Sequence, residues 1–71
     1  MYDYNHAAAA RIIRAHRLNL RLTQEDVAAR MHIDRSYYGR IERGRIIPTL
    51  SMLLDICNEL DMDPMEIITR S

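Results

Sequence analysis

Seventy-one residues hold one hydrophobic core and leave too few apolar side chains for a second, so residues 1–71 are read as a single domain. With 48% hydrophobic and 28% charged residues, two Gly, two Pro and neither Phe nor Trp, the chain is globular, and a core of Leu, Ile, Met, Val and Ala favours a helical bundle over a sandwich or barrel. The formal net charge is zero, yet the charges separate: all ten basic residues are Arg, nine of them from Arg11 to Arg45 against four acids, whereas residues 46–71 carry five acids and Arg70 alone, so an anionic partner belongs on the first part.

In chain order, the alanine run at residues 7–10 has high helix propensity and opens a first helix ending near residues 19–21. Its expected inner stripe is Ile12, Ile13, His16 and Leu20. Thr23 caps a second helix, Gln24–Met31, with Asp26 completing a capping box and Val27, Ala28 and Met31 facing inward. Asp34 caps a third helix over residues 34–42 or 43, with Tyr38 and Ile41 inward and Gly44 closing it. Too few residues separate the second helix from the third for parallel packing, so the pair turns sharply. After a loop at residues 45–48, Thr49 caps a fourth helix whose apolar face is expected to be Leu50, Leu53, Leu54, Cys57 and Leu60. Asp63 and Pro64 start a short fifth helix through Met65, Ile67 and Ile68.

Two helices of about eight residues joined by a tight turn match the helix-turn-helix geometry, here at about residues 23–43. With Tyr38 and Ile41 inside, Arg35, Ser36, Gly39 and Arg40 face outward, flanked by Tyr37 and Arg43. Arginine forks onto guanine O6 and N7 and serine donates or accepts, so Arg35, Ser36 and Arg40 are the expected base-reading residues.

The chain resembles the lambda-repressor and Cro-like helix-turn-helix proteins, the XRE family. The matching stretches are residues 13–17, 22–28, 40–44 with Pro48, and 53–60. The resemblance implies an all-α, compact five-helix DNA-binding domain acting as a transcriptional regulator, a repressor or controller protein, on double-stranded DNA. It further implies that Gln24 and Arg43 contact backbone phosphate, that Thr23 adds a contact, and that Arg17 and Glu42 form a structural ion pair; Tyr37, Gly39 and Arg45 are expected beside these at the backbone or flanks. Departures are few. Arg21, His32 and Asp61 stand where the family often has glycine, so three turns must accept a side chain in a demanding conformation. His16 takes a position that is usually aliphatic, and Gly39 lies inside the third helix, at a cost of about 1 kcal/mol relative to Ala.

Ile46, Ile47, Met65 and Ile68 are apolar where monomer packing does not obviously need them, and are expected to form a homodimer interface on a pseudo-palindromic operator. The alternative function is an antitoxin or adaptor that holds a toxin or regulator protein through the acidic, apolar second half. So short a chain leaves no room for a sensor domain, and activity would follow concentration, dimerisation or a partner. The histidines and Cys57 are not at ligand spacing, so no metal, no cofactor and no catalysis are expected, and Cys57 is assigned to the core. Tyr2, Tyr4 and Tyr38 are expected to pack on the core. No apolar run spans a membrane and no signal-peptide pattern opens the chain, which predicts a soluble cytoplasmic protein.

Overall fold

The computed structural model describes residues 2–3 and 5–70. Among them are four α-helices, α1 (His6–Asn19), α2 (Gln24–Met31), α3 (Arg35–Glu42) and α4 (Leu50–Glu59). The expected fifth helix is instead a single 3₁₀ turn, Pro64–Glu66. Asp63 caps it and Pro64 begins it as anticipated, but Ile67 and Ile68 leave the helical path to enter the core. A two-residue antiparallel pair joins the chain ends, β1 (Tyr2–Asp3) to β2 (Thr69–Arg70), with Tyr2 opposite Arg70 and Asp3 opposite Thr69. The expectation that Tyr2 and Tyr4 cover the core falls on side chains outside the described set.

Every helix begins on a side-chain cap. Asn5, Thr23, Asp34 and Thr49 each accept backbone N–H bonds from the first turn, which satisfies donors that have no partner inside the helix. Thr23 and Asp26 form the reciprocal box: Asp26 donates its N–H to Thr23 Oγ1 at 3.0 Å, and Thr23 donates its N–H to Asp26 Oδ2 at 2.8 Å. Those bonds hold the Asp26 carboxyl below its ordinary range. Asn5, two residues before the alanine run, caps α1 and makes the helix start at His6, one residue earlier than expected.

Every α-helix also ends in the same way. One residue turns left-handed, its N–H or its successor's reaches back to the last turn, and the helix is closed. Arg21 at φ 59°, His32 at 56°, Gly44 at 73° and Asp61 at 54° hold these positions. The bonds are Arg21 N–H to Leu18 O and Leu22 N–H to Arg17 O in α1, and His32 to Ala29 and Ile33 to Ala28 in α2. In α3 Gly44 bonds Ile41 and Arg45 bonds Arg40, and in α4 Asp61 bonds Asn58 and Met62 bonds Cys57. Three of the four turns thus carry a side chain in a conformation that favours glycine, at the three positions expected from the sequence to do so.

One cluster forms the core. Ile13 of α1, Val27 and Ala28 of α2, Tyr38 and Ile41 of α3, and Leu53, Ile56, Cys57 and Leu60 of α4 and its end meet there, with Met62, Ile67 and Ile68 closing one side. Two expected faces are rotated from the sequence reading. In α1 the inner stripe is Ala9, Ala10, Ile13 and Arg17, while Leu20 is exposed at the helix end and His16 is only half-buried. In α4 Ile56 is fully buried, whereas Leu50 and Leu54 are 50% and 41% exposed.

Candidate nucleic-acid interface

The α2–α3 unit is held from beneath by a buried ion pair. Arg17 donates from Nε to Glu42 Oε2 at 2.9 Å and from Nη2 to Oε1 at 2.6 Å, a fork-on-fork contact. Its Nη1 donates to the Leu22 carbonyl at 2.8 Å, so one guanidinium ties the end of α1, the first turn and the end of α3 together. Burial works to raise the Glu42 carboxyl, but the surrounding donors, Arg17 foremost and then the Tyr38 hydroxyl and Gln24 beside it, outweigh it and leave it below the ordinary value. The same Glu42 bond raises the guanidinium of Arg17. The Tyr38 hydroxyl is buried beside the pair and has no hydrogen-bond partner among the described residues. Its burial next to Glu42 raises the phenol and keeps it protonated.

Glu42 also orients Gln24. A carboxylate accepts only, so the amide must turn its NH₂ toward Glu42, and Nε2 donates to Oε1 at 3.2 Å. The carbonyl end of Gln24 then lies over Gly39. A Cβ built on Gly39 would stand 3.1 Å from Gln24 Oε1 and 3.1 Å from Arg43 Nη1. Gly39 is therefore covered, contrary to its expected place on the open outer face. Its lack of a side chain lets the start of α2 and the end of α3 bring Gln24 and Arg43 together.

At 100° per residue, Arg35, Gly39, Arg43, Ser36 and Arg40 fall within an arc of about 140° on α3. Arg35, Ser36, Arg40 and Arg43 are exposed on it. A groove of about 470 Å³ runs along this arc, lined by Gln24, Asp34, Arg35, Ser36, Gly39 and Arg43. A second concavity of about 570 Å³ shares Gln24 and Arg35 with it and continues past Thr23 to Arg21 and Leu18. From the sequence Arg21 was read only as a turn residue and Leu18 was not singled out; the signal available for the site was an arginine in the turn directly before the Thr23 cap. Asp34 was read only as a cap, but its carboxylate accepts both the Ser36 N–H at 2.8 Å and the Ser36 hydroxyl at 2.9 Å and also lines the groove.

The remaining expected residues divide. Arg45 is exposed beyond α3, and Tyr37 is half-buried against the core rather than free on the flank. Of the four residues assigned to a dimer interface, Ile47 and Met65 are exposed at 64% and 57%, but Ile46 is half-buried against the core and Ile68 is only 7% exposed. Ile68 is unavailable to a partner because the chain turns inward after the 3₁₀ turn. The other exposed apolar residues nearby are Leu50 and Leu54, one helical turn apart on α4, and Ile47 lies in the loop before that helix. Among the described residues, no three His, Cys, Asp or Glu side chains are grouped as metal ligands, and no helix is long and apolar enough to cross a membrane.

Comparison with known proteins agrees with this geometry. A sequence model of the helix-turn-helix family matches residues 13–67. The chain is similar to an uncharacterized HTH-type transcriptional regulator, y4dJ, of Sinorhizobium fredii, with 38% identity over 48 residues, 68% of this chain and 62% of that relative. The chain thus spans less than two thirds of the length of the curated relative it matches. The matched stretch runs from Ile13 through the buried ion pair and the two capped helices to Ile67, and on it the chain belongs to the XRE-type helix-turn-helix family.

Proposed function

We propose that this protein is a sequence-specific regulator of transcription that binds double-stranded DNA by laying α3 in the major groove. The observation that carries the reading is the exposed arc of α3: Arg35, Ser36 and Arg40 are exposed on it, beside Gln24 and Arg43, whose side-chain ends lie over Gly39. Arg35 and Arg40 offer planar donor forks suited to guanine O6 and N7, and Arg43, Arg45 and the remaining Gln24 N–H suit phosphate oxygens. Occupying a promoter in this way excludes other proteins from the same groove, which makes repression the expected sign. The exposed Leu50 and Leu54 of α4, with exposed Ile47 in the loop before it, support a homodimer, which places two copies of α3 about 34 Å apart on a pseudo-palindromic site.

Selection from a random duplex pool at fixed salt tests the reading. Arg35→Ala and Arg40→Ala each weaken the selected site by about 1–3 kcal/mol and relax the preference at one base pair. Arg43→Ala weakens all duplexes alike and lowers the slope of log K against log salt by roughly 0.9. Unchanged site preference in both recognition-helix variants would refute the assignment of the reading face. A second reading, an adaptor that holds another protein through the same α4 stripe, rests on the exposure of Leu50 and Leu54 and predicts that DNA affinity is unaffected when they are made charged.

A further inference from the structure

A serine on a reading face is ordinarily ambiguous, because its hydroxyl both donates and accepts. Here the ambiguity is removed from inside the protein. Ser36 Oγ lies 2.9 Å from Asp34 Oδ1, the same oxygen that accepts the Ser36 backbone N–H at 2.8 Å. The backbone and side-chain bonds from Ser36 hold the Asp34 carboxyl below its ordinary range, so it is ionised at neutral pH and carries no proton to donate. The bond between them therefore runs one way, with Ser36 donating its single proton. Only lone pairs of Oγ are left for a ligand. Both residues line the groove along α3, and their neighbours Arg35 and Arg43 are donors throughout.

We propose that Asp34 acts as a positioning residue that locks Ser36 into the role of hydrogen-bond acceptor, so that the base read by Ser36 is one carrying an amino group in the major groove. Those bases are cytosine through N4 and adenine through N6; thymine O4 and guanine O6 present acceptors to an acceptor and are disfavoured. The face then has a polarity. Arginine donors at Arg35 and Arg40 select guanine, and between them one acceptor spot selects an amino base, which a set of arginines alone would not do. This inference rests on the proposed reading of DNA by α3.

The test uses the full chain and the duplex it selects. Affinities are measured at one salt concentration for every base substitution, and for duplexes in which a selected cytosine or adenine is replaced by the analogue without its exocyclic amino group. One position is expected where removing the amino group weakens the wild type by roughly fivefold to tenfold, the worth of one net hydrogen bond. At that position Ser36→Ala binds the two duplexes equally. Asp34→Gly keeps α3 started, since glycine costs little at a cap, but frees the Ser36 proton. It is expected to accept thymine or guanine there nearly as well as the amino base, with helix content by circular dichroism unchanged. A wild-type preference for a carbonyl base at the Ser36-dependent position overturns the proposal. So does an Asp34→Gly variant with undiminished amino preference, which would leave Asp34 as a helix cap alone. A wild type that selects no duplex at all refutes the DNA reading itself, an outcome separate from either of these.

Discussion

Glu42 carries three obligations: it neutralises Arg17, turns the Gln24 amide, and sits beside the buried Tyr38 hydroxyl. Removing its charge strands a buried guanidinium, so Glu42→Gln is expected to cost about 3–5 kcal/mol, read as a fall in the urea midpoint at neutral pH. Replacing both partners, Arg17→Met with Glu42→Leu, should recover most of that loss, because the penalty lies in the unpaired charge. The sign of the pH effect is set by the lowered folded-state value of Glu42. Its contribution is present above the ordinary carboxylate value of the unfolded chain and is lost as pH falls through the lower folded value. Wild-type stability should therefore drop on acidification below the usual carboxylate range, and the double variant should show a flatter profile. Gly39 makes a second residue-scale case. In Gly39→Ala the atoms nearest the new methyl are the side-chain ends of Gln24 and Arg43; as these yield by a few tenths of an ångström, helix propensity dominates and thermal stability should rise by about 0.5–1 kcal/mol. Affinity for all duplexes should fall together, because the displaced pair is the proposed phosphate contact. A drop in stability would mean that the covering side chains cannot yield.

At the level of the helices, caps and closing turns were legible because their chemistry is local. Thr23, Asp34, Thr49 and Asp63 announce starts by side-chain acceptors, and the three non-glycine turns adopt the left-handed conformation expected of them. Relief of that conformation is worth about 1–2 kcal/mol, partly offset by the freedom glycine adds to the unfolded chain. Arg21→Gly should then stabilise by about 1 kcal/mol, more than His32→Gly or Asp61→Gly, since His and Asp enter this region more easily than Arg. Melting temperatures, at about 4–8 °C per kcal/mol for a chain of this size, will rank the three. The α4 face was misread for a different reason. Leu50, Leu53, Leu54, Ile56, Cys57 and Leu60 surround more of the helix than one stripe, so periodicity alone did not say which of them point inward. The core chose Leu53, Ile56, Cys57 and Leu60, because α1, α2 and α3 approach from that side.

For the molecule as a whole, the charge separation along the chain becomes a separation between elements, although Arg30 of α2 shares a concavity with Asp55 and Glu59 of α4. Arg35, Arg40, Arg43 and Arg45 are exposed on and just after α3, while Asp55, Glu59, Asp61 and Glu66 belong to α4 and the segment C-terminal to it. The uncovered leucines lie on that acidic part, which predicts where copies meet. Leu54→Glu changes an exposed side chain and should leave the fold intact, but is expected to convert a dimer to a monomer by light scattering at tens of micromolar and to weaken a two-half-site operator far more than a single half-site. Equal masses for the variant and the wild type would remove α4 from the interface. The sequence alone determined what is local: helix starts and ends, the arginine-bearing face of α3, and the turns that carry side chains at positive φ. Only the tertiary structure decided that Gly39 is covered, that Ile68 is core, that Asp34 takes the Ser36 proton, and that the chain ends pair. The first, second and last depend on which groups from distant segments come within contact distance, which no pattern of neighbours along the chain encodes; the Asp34–Ser36 bond is local, but the rotamers that make it are set only in the folded structure.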